Sequence, residues 1–195
     1  MVTMRKVVAM NSITPRSQRG TSLIEVLITM VILAIGLLAL AGLQARLHVL
    51  QIESYQRAQA LIILRDMAGR ITNNRYAAAS YVTAGPLGTG AACPVSTATR
   101  HEADTTEWCN TIIGASETLG GGNVGTMVGG RGCVEDLGGD EFMVTVAWQG
   151  LAPISAPPAA VTCGLNSYNG AAGSPCVNDL CRRVVTTVIR IPTLT

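Results

Sequence analysis

The sequence is poor in the residues from which most catalytic and binding sites are built. It has one lysine (Lys6), two histidines (His48 and His101) and one phenylalanine (Phe142), with aromatic residues at 4% and charged residues at 13%. Without a second lysine, the glycine-rich stretch "LGGGNVGTMVGGRG" at 119–132 cannot end in the Gly-Lys-Ser/Thr of a phosphate loop. There is no Cys-x-x-Cys and the only histidines are His48 and His101, so the six cysteines read as disulfides and not as a structural zinc site. His101, Glu102 and Asp104 are the one polar group with the look of a cation site, and three such residues in a loop read as solvated. No nucleophile, base and orienting residue can be named together. The sequence therefore predicts a protein that is not an enzyme, with no cofactor and no metal.

Charge is missing in an informative pattern. Arg5, Lys6, Arg16 and Arg19 precede any acid, and residues 26–45 carry no charge at all. That run makes about 30 Å of helix, the thickness of a bilayer's hydrocarbon core. Its basic flank places residues 1–20 in the cytoplasm and the chain after Arg46 outside. A chain beginning at Thr21 has ten arginines against twelve acids, a formal charge of −2, which leaves no basic footprint for nucleic acid.

Proline is also absent from the long helical pattern. Leu47, Leu50, Ser54, Ala58, Leu61, Leu64, Ala68 and Ile71 recur at steps of three and four, predicting one helix over about residues 22–74 with an amphipathic outer half and a frayed end at 72–76. Beyond Ala77 the texture becomes Ala, Gly, Ser, Thr and Pro. Residues 86–94 and 119–132 read as loops, and residues 104–115 as a short helix. "EFMVTVAWQ" (141–149) alternates as a strand with Phe142, Val144, Val146 and Trp148 on one face, and Trp148 reads as core. "CRRVVTTVIRI" (181–191) is a second strand, and "CVEDL" (133–137) a hairpin partner for the first through "GGD". Residues 152–175 read as a long loop, outside the core, tied down by Cys163 and Cys176.

All six cysteines (Cys93, Cys109, Cys133, Cys163, Cys176, Cys181) follow the apolar run, the distribution expected if only that part enters an oxidising compartment. Six cysteines allow fifteen connectivities. Cys93 with Cys109 comes first because the loop between them is short.

Two peptidases could read the N-terminus. Ala39, Leu40 and Ala41 form a small-residue site that would release a chain from Gly42. The other reading rests on "RGTSLIEVLITMVILAIGLLALAGLQ" (19–44), which resembles the class III leader of type IV pilins and pseudopilins: a basic leader ending in Gly, a small first mature residue, Glu at the fifth, then an apolar helix. "ILAIGLLALAGLQ" (32–44) and "VAWQG" (146–150) are similar to the PilV group of minor pilins. The resemblance implies prepilin-peptidase cleavage between Gly20 and Thr21, methylation of the new Thr21 amine, and a role for Glu25 in assembly. Met1, Met4 and Met10 are alternative starts for the leader.

The resemblance further implies an α+β pilin fold. Its parts are a leader (1–20), a transmembrane and filament-core helix (21–45), an amphipathic outer half (46–75), and a periplasmic domain (76–195) with a small antiparallel sheet and disulfide-held loops. The implied partners are prepilin peptidase, other minor and major pilins through the helix, the inner membrane and the pilus assembly platform. The implied role is initiation or tipping of a fibre used for twitching and adhesion. A minor pseudopilin of a type II secretion system shares the leader and helix. A membrane-anchored periplasmic sensor or binding module is the reading from another class.

Overall fold

A computed structural model describes Gly20, residues 22–123 and residues 127–192. The chain divides into two units, Met1–Ala45 and Arg46–Thr195. Helix α1, Leu23–Asn73, contains the boundary between them. In the first unit every described residue is exposed, and none is packed against another element.

The second unit starts with the outer half of α1, followed by a 3₁₀ segment (Arg75–Tyr81), β1 (Leu87–Gly88), α2 (Arg100–Ile112), the small hairpin β2 (Thr118–Leu119) and β3 (Gly122–Asn123), then β4 (Arg131–Gly138), β5 (Glu141–Gln149) and β6 (Arg182–Arg190). The main sheet runs β1-β4-β5-β6 and every pairing is antiparallel. The α+β architecture expected from the sequence is therefore present: a long N-terminal helix followed by a small antiparallel sheet, with three disulfides.

Helix α1 buries Gln56, Ala60, Ile63, Leu64, Met67 and Ile71. This seam shares Leu64 and Ile71 with the predicted stripe but lies about one residue step, roughly 100°, around the helix. Leu47, Leu50, Ser54 and Ala58 are exposed instead. The sequence pattern is continuous with the apolar run, whereas burial begins only at Gln56 and follows what the sheet can reach. Ile63, Leu64, Met67 and Ile71 contribute about 1.5–3 kcal/mol each on burial. They meet Trp108 and Ile112 of α2 and the inner face of the sheet, Val134, Phe142, Val144, Val146 and Trp148.

Several segments differ from expectation. The end of α1 does not fray into coil but passes into the 3₁₀ segment. The stretch 86–94 contains β1, and 119–132 contains the β2–β3 turn and the start of β4. Gly120 and Gly121 both have positive φ (60° and 83°), which suits a tight two-residue hairpin. Gly132 lies in β4, paired with Val146, and the Trp108 ring occupies the place where a Cβ would be. The loop at 152–175 supplies part of a core after all: Cys163 and Tyr168 are buried with Cys133 and Ala147 on the outer sheet face. That is why Thr145 and Ala147, on the face opposite Val144 and Val146, are buried as well.

Candidate functional site

Helix α1 begins one residue after Ser22, whose carbonyl accepts from the backbone N–H groups of Glu25 (2.9 Å) and Val26 (3.3 Å). Glu25 sits in the first helical turn, where the helix dipole favours a negative charge, and it is exposed. The helix then carries a window of mean hydropathy 2.8 with none of its residues buried, and by length and composition it is able to cross a membrane. The site thus consists of a carboxylate at the start of an unpacked apolar helix, close in sequence to Gly20. Gly20 and Glu25 lie among the described residues. Thr21, the predicted cleavage and methylation position, lies outside them, as do Arg5, Lys6, Arg16 and Arg19.

The helix's other end is fixed by an ionic cluster. The Arg70 guanidinium donates to Asp66 (2.9 Å), Asp104 (2.9 Å) and Glu107 (2.8 Å). Asp104 also accepts from the Tyr81 hydroxyl (2.6 Å) and from Arg100 (3.2 Å), and Asn74 donates to Tyr81 (3.1 Å). Burial alone would push the Asp104 carboxyl up, but the donors Tyr81, Arg70 and Arg100 outweigh it and hold the group below the ordinary carboxylate range. The Tyr81 hydroxyl is pushed up, first by burial and then by its bond to Asp104. A second tie joins Glu53 of α1 to the Leu151 N–H (3.1 Å) and the Arg183 guanidinium (3.3 Å).

The three residues considered as a cation site are separated in role. Asp104 is not solvated; it is 3% exposed within the ionic cluster. Glu102 forms a capping box with Thr99 at the start of α2, and the His101 ring Nδ1 lies 3.0 Å from the Thr99 hydroxyl. No group of three or more His, Cys, Asp or Glu residues suited to a metal occurs among the described residues. Thr-x-x-Glu at 99–102 was a legible signal that α2 starts at Arg100 and not at Asp104. Nothing in the linear sequence announces that Arg70 meets Asp104.

The cysteines pair as Cys93–Cys109, Cys133–Cys163 and Cys176–Cys181. The first is the pairing suggested by the short intervening loop, and it secures α2. The second pins the long loop to β4, and the third closes that loop's end onto the start of β6.

Comparison with known proteins adds one finding. Residues 15–41 match the prokaryotic N-terminal methylation motif. No curated protein and no solved structure matches the chain. The motif is a class III prepilin leader and supports a type IV pilin or pseudopilin. It implies processing by a prepilin peptidase and pilus-type assembly with other pilins. Together with the apolar helix it points to a membrane-anchored pilin.

Proposed function

We propose that this chain is a minor pilin of a type IV pilus, of the PilV-like kind, acting in the initiation or tip complex of the fibre and not as an enzyme. The observation that supports it best is the methylation motif at 15–41 leading into a helix that continues into a disulfide-held α+β domain. Prepilin peptidase cuts after Gly20 while the apolar half of α1 holds the chain in the inner membrane, with the domain in the periplasm. The new Thr21 amine is then methylated. On assembly the Glu25 carboxylate enters an apolar environment and pairs with the N-terminal amine of a neighbouring pilin. At about 4 Å and an effective dielectric near 20 such a pair is worth about 4 kcal/mol before desolvation is subtracted. The pair then sets the register of packing more than its strength.

N-terminal sequencing of the mature protein tests the processing step. Thr21 at the N-terminus supports it, while Gly42 or an uncut start sinks it. Deleting the gene and counting surface pili tests the role: loss of piliation and twitching is expected. Normal pili together with failed secretion would transfer the chain to the type II pseudopilins, which share the same leader.

A further inference from the structure

Helix α1 carries a second line of residues besides its buried seam. Arg46, Leu50, Glu53 and Arg57 follow one another at steps of four, three and four, so they share one face of the helix. The segment 151–154, Leu-Ala-Pro-Ile, lies against that face: the Leu151 N–H donates to Glu53 (3.1 Å), and Ile154 lines a cleft of about 330 Å³ with Leu50, Arg57, Trp148 and Arg183. The segment's backbone is held at two further points, where the Ile154 N–H donates to the Leu180 carbonyl (2.8 Å) and the Ala152 carbonyl accepts from Arg183 (2.6 Å). Its side chains are left outward: Leu151 and Ile154 are 47% and 53% exposed, beside Leu50 at 61%. An apolar tip whose backbone is already bonded can leave water at little polar cost. The charge around it is of one sign. Between Arg46 and Arg65 the only acid is Glu53, and Arg183 neutralises it at 3.3 Å. Arg46 and Arg57 are exposed, and neither has an acid partner among the described residues.

We infer that this face docks on the headgroups of anionic phospholipids in the membrane that anchors the chain, with Arg46 and Arg57 towards the phosphates and Leu50, Leu151 and Ile154 towards the upper acyl carbons. The inference rests on the reading of the apolar run as a membrane anchor. Given that anchor, chain length alone keeps the face near the bilayer at any angle between the two units. Leu50 is five residues past Ala45 and Arg57 twelve, at most about 8 Å and about 18 Å at 1.5 Å per residue. The headgroup layer extends about 5–8 Å past the hydrocarbon, and the field of its phosphates reaches about 10 Å further at 0.1 M salt. A tethered surface can act through a small area, because the anchor already fixes its effective concentration. Each arginine near an anionic surface adds about a factor of five. Lipid phosphates supply the counter-charge that the two arginines lack, whereas the uncharged apolar helix of a neighbouring pilin would leave both unpaired. Docking holds the domain on the membrane until α1 is drawn out for assembly.

The full-length chain tests the docking when reconstituted in vesicles of phosphatidylcholine with and without phosphatidylglycerol, both carrying a lipid spin-labelled near the top of its acyl chain. Ile154→Trp adds an indole at the tip, read against the native chain, whose Trp108 and Trp148 are buried. Its emission is expected to be quenched several-fold more in the vesicles with phosphatidylglycerol than in phosphatidylcholine alone. Adding Arg46→Gln and Arg57→Gln should bring the quenching down to the phosphatidylcholine level without changing the unfolding midpoint. Leu119→Trp, on the β2–β3 hairpin, should show no dependence on phosphatidylglycerol. Equal quenching in both vesicles, quenching that survives loss of both arginines, or the same lipid dependence at Leu119→Trp overturns the docking. A chain that fails to float with the vesicles overturns the anchor and the docking with it, whereas a chain that floats without quenching overturns the docking alone.

Discussion

The two units of this chain solve different problems, and the contrast lies in where their side chains find partners. In Met1–Ala45 the described residues have no partner: an apolar helix lies fully exposed, with Glu25 at its start. In Arg46–Thr195 the outer half of α1, α2 and β4 are each tied twice, by packing and by a disulfide or an ionic cluster. A helix whose apolar surface is complete only in a bilayer or against other chains carries its information in a linear motif. A domain that is complete alone carries it in contacts distant in sequence. The comparison predicts that substitutions in the second unit shift stability by graded amounts, and that a substitution in the first shifts assembly with no change in stability.

The largest stability effect should come from Trp108. Its ring is fully buried against Gly132 and Ile112, and its indole N–H donates to the Ile63 carbonyl (3.0 Å), so it joins α2, β4 and α1. Trp108→Ala is expected to cost about 3–5 kcal/mol, measured by urea unfolding of the detergent-solubilised chain. A cost under about 1 kcal/mol would mean that the second unit is not held by this core. Replacing Cys93 and Cys109 together by serine should come next, at about 3 kcal/mol for a separation of 16 residues. The same unfolding curves, compared with and without reductant, check it.

The sequence made some of this legible and concealed the rest for identifiable reasons. Strands β4, β5 and β6 were readable because alternation and β-branching are local properties, and Cys93–Cys109 because its loop is short. The helix seam was misplaced because residues 61–64, Leu-Ile-Ile-Leu, are apolar all round, so only the position of the sheet decides which of them turn inward. Asp104 reads as solvated because polar residues usually are, and nothing local tells that it is buried. At the N-terminus Gly20 and Glu25 are singled out by the resemblance to pilin leaders, since there the signal is a motif and not a set of contacts.

A smaller effect, tied to pH, should come from Asp104. A carboxyl held below its ordinary range contributes stability that is fully present above the unfolded-state value, near pH 4, and is lost as pH falls through the lower folded-state value. The native chain should therefore lose stability on acidification below about pH 4. Asp104→Asn should cost about 2 kcal/mol at neutral pH and flatten that acid limb, because Arg70 retains Asp66 and Glu107 but the charged bonds from Tyr81 and Arg100 are weakened. Unfolding midpoints measured from neutral to acid pH check both parts. An unchanged acid limb in the variant would move the pH dependence to other carboxylates.

The smallest stability effect should belong to Glu25, and it sharpens the comparison most. The Glu25 side chain is exposed in a unit where nothing packs on it, so Glu25→Gln removes at most a fraction of a kcal/mol of dipole interaction at the helix start. The unfolding midpoint of the second unit and the three disulfides should be unchanged, and so should cleavage before Thr21. Recovery of the protein in sheared surface fibres should fall to background, because the variant cannot offer a charge to a neighbour's amine in an apolar core. Fibre incorporation at the native level would show that the carboxylate has no part in assembly. A shifted midpoint would show that the two units are not independent. Only an unchanged midpoint with lost incorporation supports a division in which one unit is made to fold and the other to be completed by its neighbours.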